Sequence, residues 1–240
     1  MPQRFDLYWS FRSPYSYLVT GRVVAFVRTH DVDVRLRIVY PLAVRNPDYY
    51  AALPPQRRAY FRLDPPRVAA QLGMPFGPPR PDPVVIDLAT RRPATEQPYI
   101  RRLSHLGVEA NERGRGLGFV DEVSRLIWGG AVDGWDRGAH LAGAAQRAGL
   151  DLTAMDAAIA ADPARYERLL AQNQTDLEAA GHWGVPTFVY DGEPFFGQDR
   201  FDMLVWRLAQ RGLEERPRED DTPPVIRGTP SSSAPTGGLR

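Results

Sequence analysis

From Val32 the chain alternates apolar and charged residues, Val-Asp-Val-Arg-Leu-Arg-Ile, then runs through Val39-Tyr40 to Pro41. A period of two places one face of such a segment against a core and the other in water, so the run predicts a half-buried strand over 32–40. Upstream, Phe5 to Ser10 reads as a short strand of aromatic and aliphatic residues. Pro14 to His30 between them reads as a helix. Ser13 is placed to cap it, Pro14 suits its first position, and Leu18, Val23, Val24, Phe26 and Val27 give it an apolar face. Two strands joined by a helix form a parallel pair, which predicts an α/β fold.

The next 140 residues change character. Residues 42–98 are rich in proline, with short helices expected at 55–64 and 65–73. Helical patterns follow at 99–128, broken near Arg113-Gly114-Arg115-Gly116, and at 136–148, closed by Gly149. Two more are expected, at 152–161 behind Asp151 and from Asp162-Pro163 to about Ala180. Strand character returns in Gly184 to Tyr190. Asp191-Gly192 then marks a hairpin turn, Glu193 to Phe196 a return strand, and Phe201 to Gln210 a last helix ended by Gly212. The predicted layout is a thioredoxin-like domain formed by 1–41 and 182–213. It carries an all-helical insertion at 42–181 and is followed by a disordered tail at 214–240.

Composition removes several chemistries. The 240 residues contain no cysteine, and all 30 basic residues are arginine. Disulfide exchange, thiolate nucleophiles, cysteine metal sites and lysine Schiff bases are thereby excluded. Four scattered histidines show no metal-ligand spacing, so no metal is expected. A formal net charge of +1 offers no field for nucleic acid or an anionic membrane. With no signal-peptide pattern and no apolar run of about 20 residues, the expected location is the cytoplasm, with no membrane partner.

Ser13-Pro14-Tyr15-Ser16 has the form of a redox Cys-x-x-Cys motif with hydroxyls in place of both sulfurs. A helix N-terminus presents unpaired N–H groups and partial positive charge, and a serine adds a hydroxyl donor. Both favour a thiolate over a thiol, by ~0.3–2 kcal/mol from the dipole and ~1.5–3 kcal/mol from one charge-assisted hydrogen bond. Capping alone also explains a serine before proline. Val185-Pro186 is a candidate cis peptide.

The segment Asp6 to Leu18, with Ser13-Pro14-Tyr15-Ser16-Tyr17-Leu18, resembles the start of 2-hydroxychromene-2-carboxylate isomerases. These are relatives of kappa-class glutathione transferases within the DsbA-like group. Gly184-Val185-Pro186-Thr187 and Phe196-Gly197-Gln198-Asp199-Arg200 resemble that family's later signatures, and Trp128-Gly129-Gly130 fits the end of its middle helix. The resemblance implies a glutathione-dependent cis–trans isomerase acting on an aromatic, unsaturated 2-oxo acid. Another low-molecular-weight thiol could replace glutathione. In that reading Ser13 is the catalytic residue and stabilises the bound thiolate. The backbone of Val185, before Pro186, pairs with the thiol peptide, while Gln198, Asp199 and Arg57 help to hold it. Relatives often have serine where Gln198 stands and lysine near Arg57, and Asp64 falls near an acidic position of the family. Arg12 is the candidate partner for the substrate carboxylate and Tyr15 a second candidate substrate contact. The resemblance also implies a possible homodimer. A kappa-like transferase and a non-enzymatic thioredoxin-like binding module are the alternatives.

Overall fold

The structure is a computed structural model and describes residues 2–48, 52–87, 89–90 and 92–216. Strand β1 (Gln3–Trp9) is followed by helix α1 (Pro14–Thr29) and strand β2 (Val32–Ile38). Then come helices α2 (Leu42–Arg45), α3 (Pro55–Gln71), α4 (Pro98–Glu112), α5 (Gly116–Trp128), α6 (His140–Arg147), α7 (Leu152–Ala161) and α8 (Pro163–Ala179). Strands β3 (Thr187–Tyr190) and β4 (Glu193–Phe196), a turn of 3-10 helix (Gln198–Arg200) and helix α9 (Phe201–Gln210) close the described fold.

The four strands form one sheet in the order β2-β1-β3-β4. β1 runs parallel to β2, from Gln3 opposite Val32 to Trp9 opposite Ile38. β3 lies antiparallel on its other side, with Leu7 opposite Phe188, and β4 returns along β3. This is the thioredoxin-like α/β arrangement that the strand-helix-strand opening predicts. β1 is the inner strand of the pair and is covered on both faces, so Phe5 through Trp9 are all buried, whereas edge strand β2 keeps its alternation. Asp6, buried on β1, is held by Arg35 at 2.7 Å and Arg37 at 3.2 Å from the charged face of β2.

The sheet and the helices of 42–181 share one continuous apolar core. It includes Phe5, Trp9 and Phe188 from the sheet, Leu18 and Val23 from α1, Leu103 and Leu106 from α4, and Phe119 and Val123 from α5. Two indole N–H groups tie this core together, one from β1 to α1 and one from α5 to the loop before α1. Trp9 donates to the Thr20 hydroxyl at 2.9 Å, and Trp128, at the end of α5, donates to the Phe11 carbonyl at 2.9 Å.

Several local expectations change. The helices expected at 55–64 and 65–73 are one helix, α3, which runs through Pro65-Pro66. Only Pro65 and Ala69 of α3 are buried, so water can satisfy the carbonyls that the prolines leave unbonded. α6 starts at His140 rather than at 136, because 129–139 is drawn into turns, with Gly130, Gly134 and Gly138 at positive φ. The hairpin strand begins at Thr187, since the cis bond between Val185 and Pro186 bends the chain just before it. The first residues of the expected tail are placed. Glu215 bridges to His30, and Arg216 donates through its backbone to Thr29. The rest of the expected tail, 217–240, lies outside the described residues. No described helix is long and apolar enough to cross a membrane.

Candidate active site

Ser13 is the N-cap of α1, with extended backbone (φ −91°, ψ 113°). Its hydroxyl oxygen accepts the Ser16 N–H at 3.1 Å, and its proton is donated to the Val185 carbonyl at 3.2 Å. Pro14 has no N–H to offer, which leaves the Tyr15 N–H as a first-turn donor with no intrahelical acceptor. Two residues 172 positions apart in the chain therefore meet: a serine hydroxyl at a helix N-terminus and the backbone just before a cis-proline. The core dictates the meeting. β3 pairs with β1, so the strand that follows Pro186 is delivered beside the strand that leads to Ser13. Ser16 has no such place: it is fully buried, and its carbonyl accepts the Thr20 hydroxyl at 2.6 Å.

This junction opens into a cavity of about 620 Å³. Its floor is Ser13, Pro14 and Tyr15 at the start of α1, and Gly184 and Val185 from the loop before β3. The walls are largely apolar: Leu53, Phe61, Pro65 and Pro66 on the α3 side, Phe76 and Trp128 opposite, and Trp183 and Phe196 at the rim. Phe76 stacks on Trp128 at 5.7 Å, where Gly77 crosses Gly130 and the Gly77 N–H donates to the Trp128 carbonyl at 2.7 Å. At the rim His182 stacks on Phe196 (4.0 Å) and on Trp183 (5.2 Å), whose rings lie 6.1 Å from each other. His182 Nδ1 accepts the Gly184 N–H at 2.8 Å. Burial lowers the His182 pKa against the opposing pull of that bond, so the ring is neutral, with its proton on Nε2.

Charge in the walls is mostly positive: Arg12, Arg45, Arg57 and Arg62 against Asp82. Arg12 grips Asp82 through Nε at 2.7 Å and Nη2 at 2.9 Å. Tyr15 donates its hydroxyl proton to Asp64 at 2.6 Å, and Tyr60 donates to the other oxygen of the same carboxylate at 2.8 Å. Burial, then the Asp64 hydrogen bond, push the Tyr15 pKa far up, so Tyr15 is a fixed neutral donor that ties α1 to α3. Arg57, exposed on α3, lies over the Phe61 ring at 5.7 Å.

Five of the residues expected from the sequence, Ser13, Arg12, Tyr15, Arg57 and Val185, line this one cavity. Pro186 supports it from behind: it is buried, and its carbonyl accepts the Gly197 N–H at 2.9 Å. Gln198 and Asp199 are not in the wall. They follow Phe196 in the 3-10 turn, where Asp199 pairs with Arg200 at 3.1 Å and the Gln198 carbonyl faces Arg22 at 3.4 Å. Arg12 is found already facing a carboxylate, and a bidentate fork held in that way is a poor first choice for a substrate anion. Sequence reasoning missed Asp82, Arg45 and the Trp183–His182–Phe196 stack. The stack had a legible signal, since Trp183 directly precedes segment 184–187 and Phe196 opens segment 196–200, both of which carry the resemblance. Asp82 and Arg45 had none.

No curated protein matches this chain. Among solved structures, a 2-hydroxychromene-2-carboxylate isomerase superposes with a TM-score of 0.62 at 21% identity, covering 87% of this chain and 95% of its own. A probable DsbA oxidoreductase from Streptomyces coelicolor superposes at 0.60 and 21% identity, covering 87% and 89%. The cytosolic disulfide reductase DsbM from Pseudomonas aeruginosa does so at 0.58 and 19%, covering 86% and 99%. These likenesses establish the fold. Residues 4–209 match the DSBA-like thioredoxin domain model, and the chain belongs to that family.

Proposed function

We propose that this protein is an enzyme that activates a borrowed thiol, with glutathione as the first candidate, and isomerises an aromatic unsaturated 2-oxo acid. One observation carries the reading. In a family named for dithiol chemistry, this chain contains no cysteine, yet it sets a serine hydroxyl at the helix N-terminus within 3.2 Å of the backbone before a cis-proline. One isomerase and two redox proteins share the fold, and DsbM from Pseudomonas aeruginosa has also been solved with GSH (TM-score 0.52, 15% identity).

The cavity suits such a peptide in part. The Val185 carbonyl, at the bend just before β3, offers a backbone acceptor to a short peptide. The Ser13 hydroxyl has one proton, and it rests on the Val185 carbonyl. A peptide N–H that bonds to this carbonyl would release the hydroxyl to turn toward a sulfur. Ser13 and the open Tyr15 N–H then provide two donors to one thiolate, at the positive end of α1. Bound glutathione would supply the thiolate that adds to the substrate double bond and leaves after rotation about it, with no net change in the thiol. The apolar walls exclude water from that reversible addition. Gln198 and Asp199 fit less well, because they lie outside the cavity wall and Asp199 is paired with Arg200.

The test is turnover of a 2-hydroxychromene-2-carboxylate-type substrate with and without glutathione. Turnover only in the presence of the thiol, with the thiol recovered unchanged, is expected. Full activity without any thiol refutes the reading, and a stable thioether product would assign a transferase instead.

A further inference from the structure

We propose that Arg45, and not Arg12, is the anion anchor of this cavity: it holds the carboxylate of an aromatic acid whose ring lies against Trp183. The assignment rests on the proposed function only for the identity of that acid as the acceptor. Arg45 ends α2, directly after the corner at Pro41. Its Nε donates to the Tyr40 carbonyl and its Nη2 to the Trp183 carbonyl, both at 2.6 Å. Two neutral carbonyls fix the guanidinium in place without cancelling its charge. No carboxylate forms an ion pair with it among the described residues, whereas Arg12 in the same cavity is closed by Asp82.

A half-buried cation hydrogen-bonded only to neutral carbonyls gains more from an incoming anion than a solvated one does, because less water must be displaced from it. Burial lowers the Arg45 pKa to about 10, partly offset by the field of Glu178, so the guanidinium stays charged at neutral pH while lacking full solvation. Glu178 also decides the side from which an anion enters. It lines a smaller, adjoining cavity of about 270 Å³ that Arg45 shares, and its negative charge repels an anion there. The larger cavity presents only Asp82, which Arg12 neutralises.

The reach is right for one ring. Trp183 and Val185 are two residues apart, a span of at most about 7 Å, which places the Arg45 guanidinium within about 13 Å of the Ser13 hydroxyl. A sulfur beside Ser13 takes up part of that distance, and a ring with a short acidic arm fills the rest. Trp183, 41% exposed, supplies a face for the ring beside the carbonyl that Arg45 holds.

The test compares 2-naphthoate with its neutral isostere 2-naphthamide by titration calorimetry, with glutathione affinity measured in parallel. Wild type is expected to prefer the carboxylate at least about tenfold. Arg45→Gln brings the two affinities level while leaving the amide within about twofold, and Arg12→Gln keeps the preference. If Arg45→Gln loses both probes, Arg45→Lys must restore the carboxylate preference, and its failure to do so counts against the proposal. Preference retained in Arg45→Gln, preference lost in Arg12→Gln, or no preference in wild type overturns it. Absence of glutathione binding in wild type would instead overturn the proposed function and leave the anion assignment standing.

Discussion

Replacing Ser13 by glycine separates two jobs that the serine combines. As N-cap, Ser13 accepts the Ser16 N–H. In either Ser13→Ala or Ser13→Gly the N–H of the buried Ser16 loses its acceptor, at a cost of about 1–3 kcal/mol, and glycine is the milder of the two because it suits the cap position better than alanine. As thiol partner, Ser13 contributes one hydrogen bond to a charged acceptor, ~1.5–3 kcal/mol. At ~1.4 kcal/mol per pKa unit, losing it raises the pKa of a bound thiol by about one to two units. The helix terminus and the Tyr15 N–H remain, so the rise stops short of the free-thiol value. Ser13→Gly should therefore melt below wild type but above Ser13→Ala, and carry about ten to a hundred times less thiolate at a pH below the wild-type thiol pKa. Ser13→Ala should show the same thiol shift with a lower melting point. Ultraviolet absorbance of the thiolate, followed against pH with glutathione saturating, reads the shift directly. The turnover profile should move to higher pH by the same amount, with full rate recovered on the alkaline side. The same thiol titration in all three proteins would refute the reasoning, and a rate loss that alkali does not restore would show that Ser13 acts other than through the thiolate.

Gly77→Ala should destabilise the protein by about 1–3 kcal/mol in chemical denaturation, because a Cβ at Gly77 would stand 2.6 Å from the Gly130 Cα, backbone against backbone. Tyr166→Phe removes the 2.6 Å hydrogen bond to Glu109, a buried carboxylate otherwise held by Arg113, and should cost about 1–3 kcal/mol in the same assay. Burial lowers the pKa of both His105 and His182, for His105 against the opposing pull of Glu167. The unfolded chain therefore takes up their protons first, and stability is full above about pH 6.5 and falls as pH drops through and below that value. Calorimetric melting should show this decline. It should be shallower in His182→Asn, whose side-chain oxygen can still accept the Gly184 N–H, and an equal decline in that variant would exclude a contribution from His182.

Most of the scaffold was readable because its signals are local. The alternation after Val32 lies in one strand, Asp151 and Asp162 accept N–H groups of the helices they precede, and Asp191-Gly192 turns with both residues at positive φ. Element ends drifted where a distant surface took over. α3 continues through Pro65-Pro66 with Pro65 buried and Asp64 tied to Tyr15, neither of which propensity can express. The candidate site was half legible. Ser13 and Val185-Pro186 stood out because a cap, a proline and two missing cysteines are written in adjacent letters. Asp82 did not: it lies in the proline-rich stretch 42–98, outside any periodic segment, and meets Arg12 across 70 residues.

The sequence by itself determined the order of strands and helices, the capped start of α1 and the absence of any thiol of its own. All three follow from residue types acting over one or two turns, or from composition. Only the tertiary structure decided which arginine faces an acid already, which one is held by carbonyls beside Trp183, and that the Ser13 hydroxyl meets Val185. Those choices are electrostatic and geometric. They depend on which charges the sheet order and the shared core bring within a few ångströms, and neighbours along the chain carry no record of that.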